Sequence, residues 1–71
     1  MVVVADGRLN YRSDPAIGAS VLEVLPEGTE GAILDGPIYA DGWTWYQIGL
    51  PGYGPDGQVP GWSAGEFLGL A

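Results

Sequence analysis

The sequence predicts an all-β protein whose short strands close into a small barrel. Thirteen glycines and six prolines divide the 71 residues into short pieces, and both residue types are unfavourable inside helices. No window shows the sustained 3.6-residue apolar period of an amphipathic helix. The pieces between these breakers are rich in β-branched, leucine and aromatic residues, as strands are. Because closure removes exposed edges, we expect five or six strands to curl into a barrel within a single domain spanning residues 1–71.

The first half of the chain contains three clear strand signals and one ambiguous one. Val2–Ala5 is either an extended lead-in strand or a tag-like arm, and the sequence leaves both open. Strands are predicted at Arg8–Arg12, Val21–Leu25 and Thr29–Leu34. Ser13–Ser20 is predicted to be a loop, because Ser-Asp-Pro and Ile-Gly both break regular structure.

Two features of this half are more specific. Pro26-Glu27-Gly28 predicts a tight turn, since proline fixes φ and glycine adopts positive φ without cost. In Val21–Leu25 neither alternating face is polar. This strand is therefore expected to bulge or to be covered on both sides.

The second half begins with a predicted loop at Asp35–Gly42, which carries Tyr39. The strand that follows is expected to be the longest and most aromatic of the chain. The remaining elements are a Gly/Pro-rich hairpin loop, a strand, one 3-10 turn near the C-terminus and a closing strand. From the aromatic strand onwards these elements are Trp43–Leu50, Pro51–Gln58 with Tyr53 and Asp56, Val59–Ser63, Ala64–Glu66 and Phe67–Leu70.

The charge excludes several classes of partner. Nine carboxylates stand against two arginines, for a net charge of −7. Because nucleic-acid affinity depends on lysine and arginine neutralising phosphates, we expect no nucleic-acid partner. The same charge disfavours anionic membrane surfaces and favours solubility and cationic partners.

No membrane insertion is expected either, since no apolar run approaches the about 20 residues of a spanning helix. Met1–Ala5 is too short for a signal peptide and lacks its basic start. The signal of a secreted protein would therefore lie upstream of this sequence.

Catalysis and metal binding are poorly supported by the residue types present. Histidine, cysteine and lysine are all missing, which removes the commonest bases and nucleophiles. Two carboxylates can hydrolyse a glycosidic bond, but so small a barrel offers no deep cleft to raise the pKa of one of them. Asp35, Asp41 and Asp56 lie in predicted turns and lack the spacing of a calcium loop. We expect no enzyme, no cofactor and no metal.

Three segments and the aromatic strand together resemble the bacterial SH3 domain family (SH3b), a family of small all-β barrels. The segments are Leu9–Pro15, Leu25–Thr29 and Gly61–Leu68, and the strand is Trp43-Thr44-Trp45-Tyr46-Gln47-Ile48. The resemblance runs from about residue 9 to residue 68. It implies a binding module of a longer secreted protein, located outside the cell or in the envelope. Its partner would be peptidoglycan, a cross-bridge peptide or another envelope polymer.

Three positions depart from the family pattern. The family more often has Val where Tyr11 stands and Gly where Asp14 stands, so Tyr11 is either a rim residue or a bulkier core residue. It usually has a β-branched residue in place of Gly31. That glycine either leaves space for a neighbouring tryptophan or marks a bulge.

Eight aromatic residues exceed what a small core needs, because each ring brings about 150–250 Å² of surface. Some are therefore expected at the surface, where they would form a binding site. Trp62 is expected to pack against the closing strand. Strand position predicts the other core residues as Trp45, Ile48, Val21, Leu25, Ile33 and Leu68.

The predicted ligand-binding residues are Tyr11, Asp14, Tyr39, Trp43 and Tyr53. The aromatic ones lie at strand ends or in loops, and the resemblance maps all but Tyr53 to a groove between two long loops. Sugars suit such a groove, since their C–H faces stack on rings and their hydroxyls bond to polar side chains, here Asp14, Asn10 and Gln47. Proline-rich peptides also suit it.

The two arginines are predicted to point outwards. Arg12 is expected to hold the following loop through Asp14 or a backbone carbonyl. Two alternatives to an envelope-binding module remain open. One is a free-standing peptide-binding domain, and the other is a structural or assembly domain whose aromatic patch is buried against a protein partner or another copy. The Val2-Val3-Val4 run would serve assembly by adding to a neighbour's sheet edge.

Overall fold

A computed structural model describes residues 1–5, 7–53 and 58–70, and it confirms the all-β fold with one 3-10 turn near the C-terminus. The described residues contain seven strands, one or two more than expected. The 3-10 turn spans Gly65–Phe67, one residue later than predicted. The strands are β1 Val2–Val4, β2 Leu9–Arg12, β3 Val21–Leu25, β4 Glu30–Ala40, β5 Trp43–Gly49, β6 Gly61–Ala64 and β7 Leu68–Leu70.

The strands form one antiparallel sheet in the order β3-β2-β6-β5-β4-β1-β7. Leu25 of β3, at one end of this order, packs in the same apolar cluster as Val2 and Val4 of β1, near the other end. The sheet therefore curls strongly and encloses a core. None of the helical turns in the described part of the chain is long and apolar enough to span a membrane.

The N-terminal residues are a strand of the sheet rather than an arm. Val2 pairs with Gly31 of β4 on one side and with Leu70 of β7 on the other. The side chains of Val2 and Val4 are buried. The first of the two alternatives for this segment is confirmed.

Strand β4 is longer than predicted, and the prediction of a loop at 35–42 is wrong. The strand continues to Ala40 and turns into β5 through Asp41 and Gly42, whose φ angles are 54° and 79°. Two central residues with positive φ make a two-residue hairpin turn of the type that Asp-Gly favours. As a result β4, with 11 residues, and not β5, with 7, is the longest strand.

Apolar side chains occupy both faces of the sheet. Ile48 lies in the cluster of Val2, Val4, Leu9, Tyr11 and Leu25. Trp45, three residues earlier on β5, lies on the other face with Trp62 and Ala64. Alternation along β5 therefore places side chains in two apolar clusters, one on each face of the sheet. Most of the aromatic rings lie in or against these clusters.

The core predictions are confirmed for Trp45, Ile48, Leu25 and Trp62, and Leu68 is partly buried. They are wrong for Val21 and Ile33, which are 46% and 45% exposed. Val21 lies on β3, which ends the strand order and has a neighbour on one side only. Ile33 adjoins a register shift in β4, beyond the two residues that pair with β1.

The turn predicted at Pro26-Glu27-Gly28 is confirmed. The Thr29 amide donates to the Pro26 carbonyl at 3.1 Å, and Gly28 has a φ of 91°. The positive φ at the third position explains why glycine is needed there. Pro51–Gln58 was predicted as a hairpin loop, and its residues 54–57, Asp56 among them, lie outside the described residues.

Candidate functional site

A groove of about 240 Å³ runs between strand β2 and the indole of Trp43. Arg8, Asn10 and Arg12 line one side of it, and Trp43 and Phe67 line the other. Its floor includes Trp45 and Ala64, and Ile17 from the 13–20 loop also contributes. This groove is the candidate site.

The aromatic wall of the groove is a pair of half-buried rings. The centroids of Trp43 and Phe67 are 5.3 Å apart, and the ring planes are tilted by 33°. Trp43 is placed by the Asp41-Gly42 turn, and Phe67 by the 3-10 turn. Since both rings pack against the Trp45 cluster, the wall is firmly supported and presents only part of its surface to a ligand.

Two hydrogen bonds hold the 13–20 loop beside this wall. The Ile17 amide donates to Oδ2 of Asp41 at 3.0 Å, which ties the loop to the β4–β5 turn. Nη1 of Arg12 donates to the Ala19 carbonyl at 2.9 Å. The predicted role of Arg12 in holding the loop through a backbone carbonyl is confirmed.

Glu66 fixes the start of β5 from the 3-10 turn. The Thr44 amide donates to both carboxylate oxygens of Glu66, at 3.1 Å each. Hydrogen bonding from the Thr44 amide is the main reason why the pKa of Glu66 lies below its ordinary value. The carboxylate thereby helps to place Trp43, the preceding residue.

We expect the Glu66 bond to add to the acid sensitivity of the fold. A carboxyl whose pKa is lower in the folded state contributes stability above its unfolded pKa of about 4.3, and this is lost as the pH falls through the folded value. The free energy of unfolding should therefore fall less between neutral and acidic pH in Glu66→Gln than in the parent. Urea titrations across this range measure it. Glu30→Gln, an exposed glutamate on β4, is the control, and an equal slope in both variants would contradict the assignment.

Tyr39 is exposed as predicted, at 77% of its surface. It lines a second, shallower hollow of about 290 Å³ around the β4–β5 turn, and Trp43 also lines this hollow. The two hollows therefore share one indole. Of the predicted site residues, Tyr39 and Trp43 are brought together.

Tyr11 is fully buried, so the rim alternative, on which its place among the predicted ligand-binding residues depends, is wrong. Along β2 its side chain points into the core, whereas Asn10 and Arg12 point into the groove. Its hydroxyl donates to the Ile48 carbonyl, and burial raises the pKa of this phenol. The second alternative for Tyr11, a bulky core residue, is the one observed.

Tyr53 is half-buried and belongs to the opposite face of the sheet. Its ring lies edge-on to that of Tyr11, with centroids 5.1 Å apart and an angle of 76° between the planes. Asp14 is exposed in the 13–20 loop, where its Oδ2 accepts a long bond of 3.4 Å from the Ser13 hydroxyl. Neither Tyr53 nor Asp14 lines the Trp43 groove.

Several groove residues were not among the predicted site residues. Asn10 was considered for sugar hydroxyls and does line the groove, whereas the Gln47 amide donates to the Pro60 carbonyl at 3.4 Å. Phe67 and Arg8 were missed. Asn10 and Arg12 share one face of β2, and the alternation extends to Arg8 just before the strand, so this signal could have found them.

No protein-family model, curated protein or solved structure matches this chain. The resemblance to the SH3b family therefore stays a prediction.

Proposed function

We propose that this protein is a non-catalytic binding module that recognises a bacterial cell-wall or envelope polymer through the Trp43 groove. The observation that carries the proposal is a half-buried indole, packed against the tilted ring of Phe67, in an open groove that an amide and two guanidinium groups also line. Such a ring stacks on a flat apolar face while the opposite wall supplies hydrogen bonds. An extracellular or envelope location, within a longer secreted protein, belongs to the same proposal and is supported by the family resemblance.

A non-catalytic role is supported by the chemistry of the groove. The sequence has no histidine, cysteine or lysine. Asp41 and Glu66, each within two residues of a groove aromatic in the sequence, accept backbone amides and lie exposed. An exposed carboxylate lacks the apolar surroundings that raise a pKa for acid catalysis.

We expect Trp43→Ala to reduce the affinity for purified peptidoglycan sacculi by about 30-fold, the effect of removing an aromatic hot spot. Trp43 is only half-buried, so the variant should remain folded. Co-sedimentation with sacculi measures binding, and circular dichroism checks the fold.

Two further variants make this test sharper. Val59→Ala removes an apolar side chain that is 78% exposed and outside the groove, and it should bind like the parent. Trp43→Phe keeps a ring and should retain part of the affinity. If sacculi bind the parent and Trp43→Ala equally well, the groove is not the binding site.

A structural or assembly role is the second candidate, and the exposed edge strand β3 favours it. Val21, Leu22 and Val24 are 46%, 41% and 47% exposed on a strand that pairs only with β2. The Val2-Val3-Val4 run no longer supports this role, since β1 is paired on both sides. Sedimentation at micromolar concentration tests assembly with a second copy, which Val24→Glu should abolish while binding to sacculi is unchanged.

A further inference from the structure

We propose that the ligand of the Trp43 groove is an acidic saccharide, with a sugar ring on the indole and its carboxylate on Arg8 and Arg12. This inference rests on the proposed function and adds the chemical class of the ligand. It starts from the distribution of charge, which differs sharply between the whole chain and the groove.

The only two basic side chains of the sequence both line this one groove. No carboxylate of the described residues lines it. On a chain with a net charge of −7, the groove is thus a local cationic site within an acidic surface. At long range the net charge favours cationic partners. Because the Debye length is about 8 Å, a ligand already in the groove interacts mainly with the charged groups that line the groove.

Guanidinium groups recognise carboxylates through paired N–H donors. The bond from Arg12 to the Ala19 carbonyl uses Nη1, and a guanidinium carries five donors, so this bond does not exhaust it. Arg8 is exposed at the rim of the groove. A ligand carboxylate therefore meets one arginine that the fold holds in place and one that is solvated.

The groove suits a saccharide better than a peptide. Its two strands have no free edge, since β2 lies between β3 and β6, and β5 lies between β4 and β6. An extended peptide would find no strand to pair with there, and a basic proline-rich peptide would be repelled by both arginines. A sugar needs only the ring face and side-chain donors, which Trp43, Asn10 and the arginines supply.

The test compares a galacturonate oligomer with its methyl ester, which has the same sugar backbone without the charge. Titration calorimetry in the presence of EDTA should show about tenfold or greater preference for the acid, the effect of one charged hydrogen bond. Arg8→Gln should reduce this preference, because Arg12 alone then holds the carboxylate. Val59→Ala, outside the groove, should bind both the acid and the ester like the parent. The preference should also shrink when the salt is raised to about 0.5 M.

The other outcomes separate this inference from the proposed function. Equal binding of acid and ester, both lost in Trp43→Ala, overturns the carboxylate assignment and leaves the binding module intact. Failure of the acid to bind, with Trp43-dependent binding to sacculi preserved, has the same meaning. Tighter binding of poly-L-glutamate than of the galacturonate overturns the saccharide assignment in favour of an acidic peptide. If no polymer binds in a Trp43-dependent manner, both proposals are wrong.

Discussion

Trp45→Ala is expected to unfold the protein or to leave it barely stable. The indole is 2% exposed and forms the centre of the cluster with Trp62 and Ala64. Its Nε1 donates to the Ala40 carbonyl at 2.9 Å, across the β4–β5 hairpin. Truncating a buried tryptophan costs about 3–5 kcal/mol, while small domains have total stabilities near the low end of about 5–15 kcal/mol.

Two variants locate the origin of this loss. Trp45→Phe keeps a buried ring but removes the hydrogen bond, and an unpaired Ala40 carbonyl should account for about 1–3 kcal/mol of the destabilisation. Trp43→Ala, at a half-buried position on the same strand, should cost less than Trp45→Ala. Urea unfolding followed by circular dichroism ranks the three. If Trp43→Ala unfolds the protein and Trp45→Ala does not, the assignment of the two residues to rim and core is reversed.

The local features of the fold could be predicted from the sequence, because short-range chemistry determines them. The Pro26-Glu27-Gly28 turn follows from the φ preferences of its residues. The bond from Arg12 to the 13–20 loop could be predicted because its guanidinium lies next to the point where the chain reverses. The prediction of a loop at 35–42 is the clear local error, because Asp41-Gly42 is itself a strong hairpin signal.

The face of the sheet that each residue occupies was harder to predict. Alternation shows which side chains share a face, but not whether that face is covered. Here both faces of β5 are covered, so only one of the eight aromatic rings, Tyr39, is classed as exposed. The expected surplus of surface rings is therefore much smaller than composition suggested. The site depends instead on the half-buried rings of Trp43 and Phe67, which lie at the boundary of the cluster around Trp45.

Tyr11 illustrates the same difficulty among the predicted site residues. Its ring faces the first apolar cluster, and its hydroxyl finds a partner in the Ile48 carbonyl. Ile48 is 37 residues away in the sequence, so no local pattern predicts this hydrogen bond. Asn10 on the same strand, and Arg8 just before it, line the groove on the other face. The alternation along this segment was predicted correctly, but which face the core covers was not.

Gly31→Val is expected to cost more than about 3 kcal/mol, the upper end of the range for overpacked cores. Gly31 is buried where β4 pairs with β1. A Cβ atom there would lie 2.5 Å from Cγ2 of Ile48, 2.8 Å from the Gly49 carbonyl oxygen and 2.9 Å from Cδ2 of Leu50. The glycine thus leaves space for β5 aliphatic groups, and neither of the two explanations predicted for it, a tryptophan neighbour or a bulge, is correct.

The backbone contact makes this prediction strong. Side chains such as Ile48 can rotate, but the Gly49 carbonyl belongs to the β4–β5 ladder, where Gly49 pairs with Ala32. Gly31→Ala should therefore already lose about 1–3 kcal/mol. Gly18→Ala is the matched control, since a Cβ at Gly18 meets nothing within 4 Å, and it should change stability by no more than about 0.5 kcal/mol. Equal urea midpoints for Gly31→Ala and Gly18→Ala would contradict the close approach of Gly31 to Ile48 and to the Gly49 carbonyl.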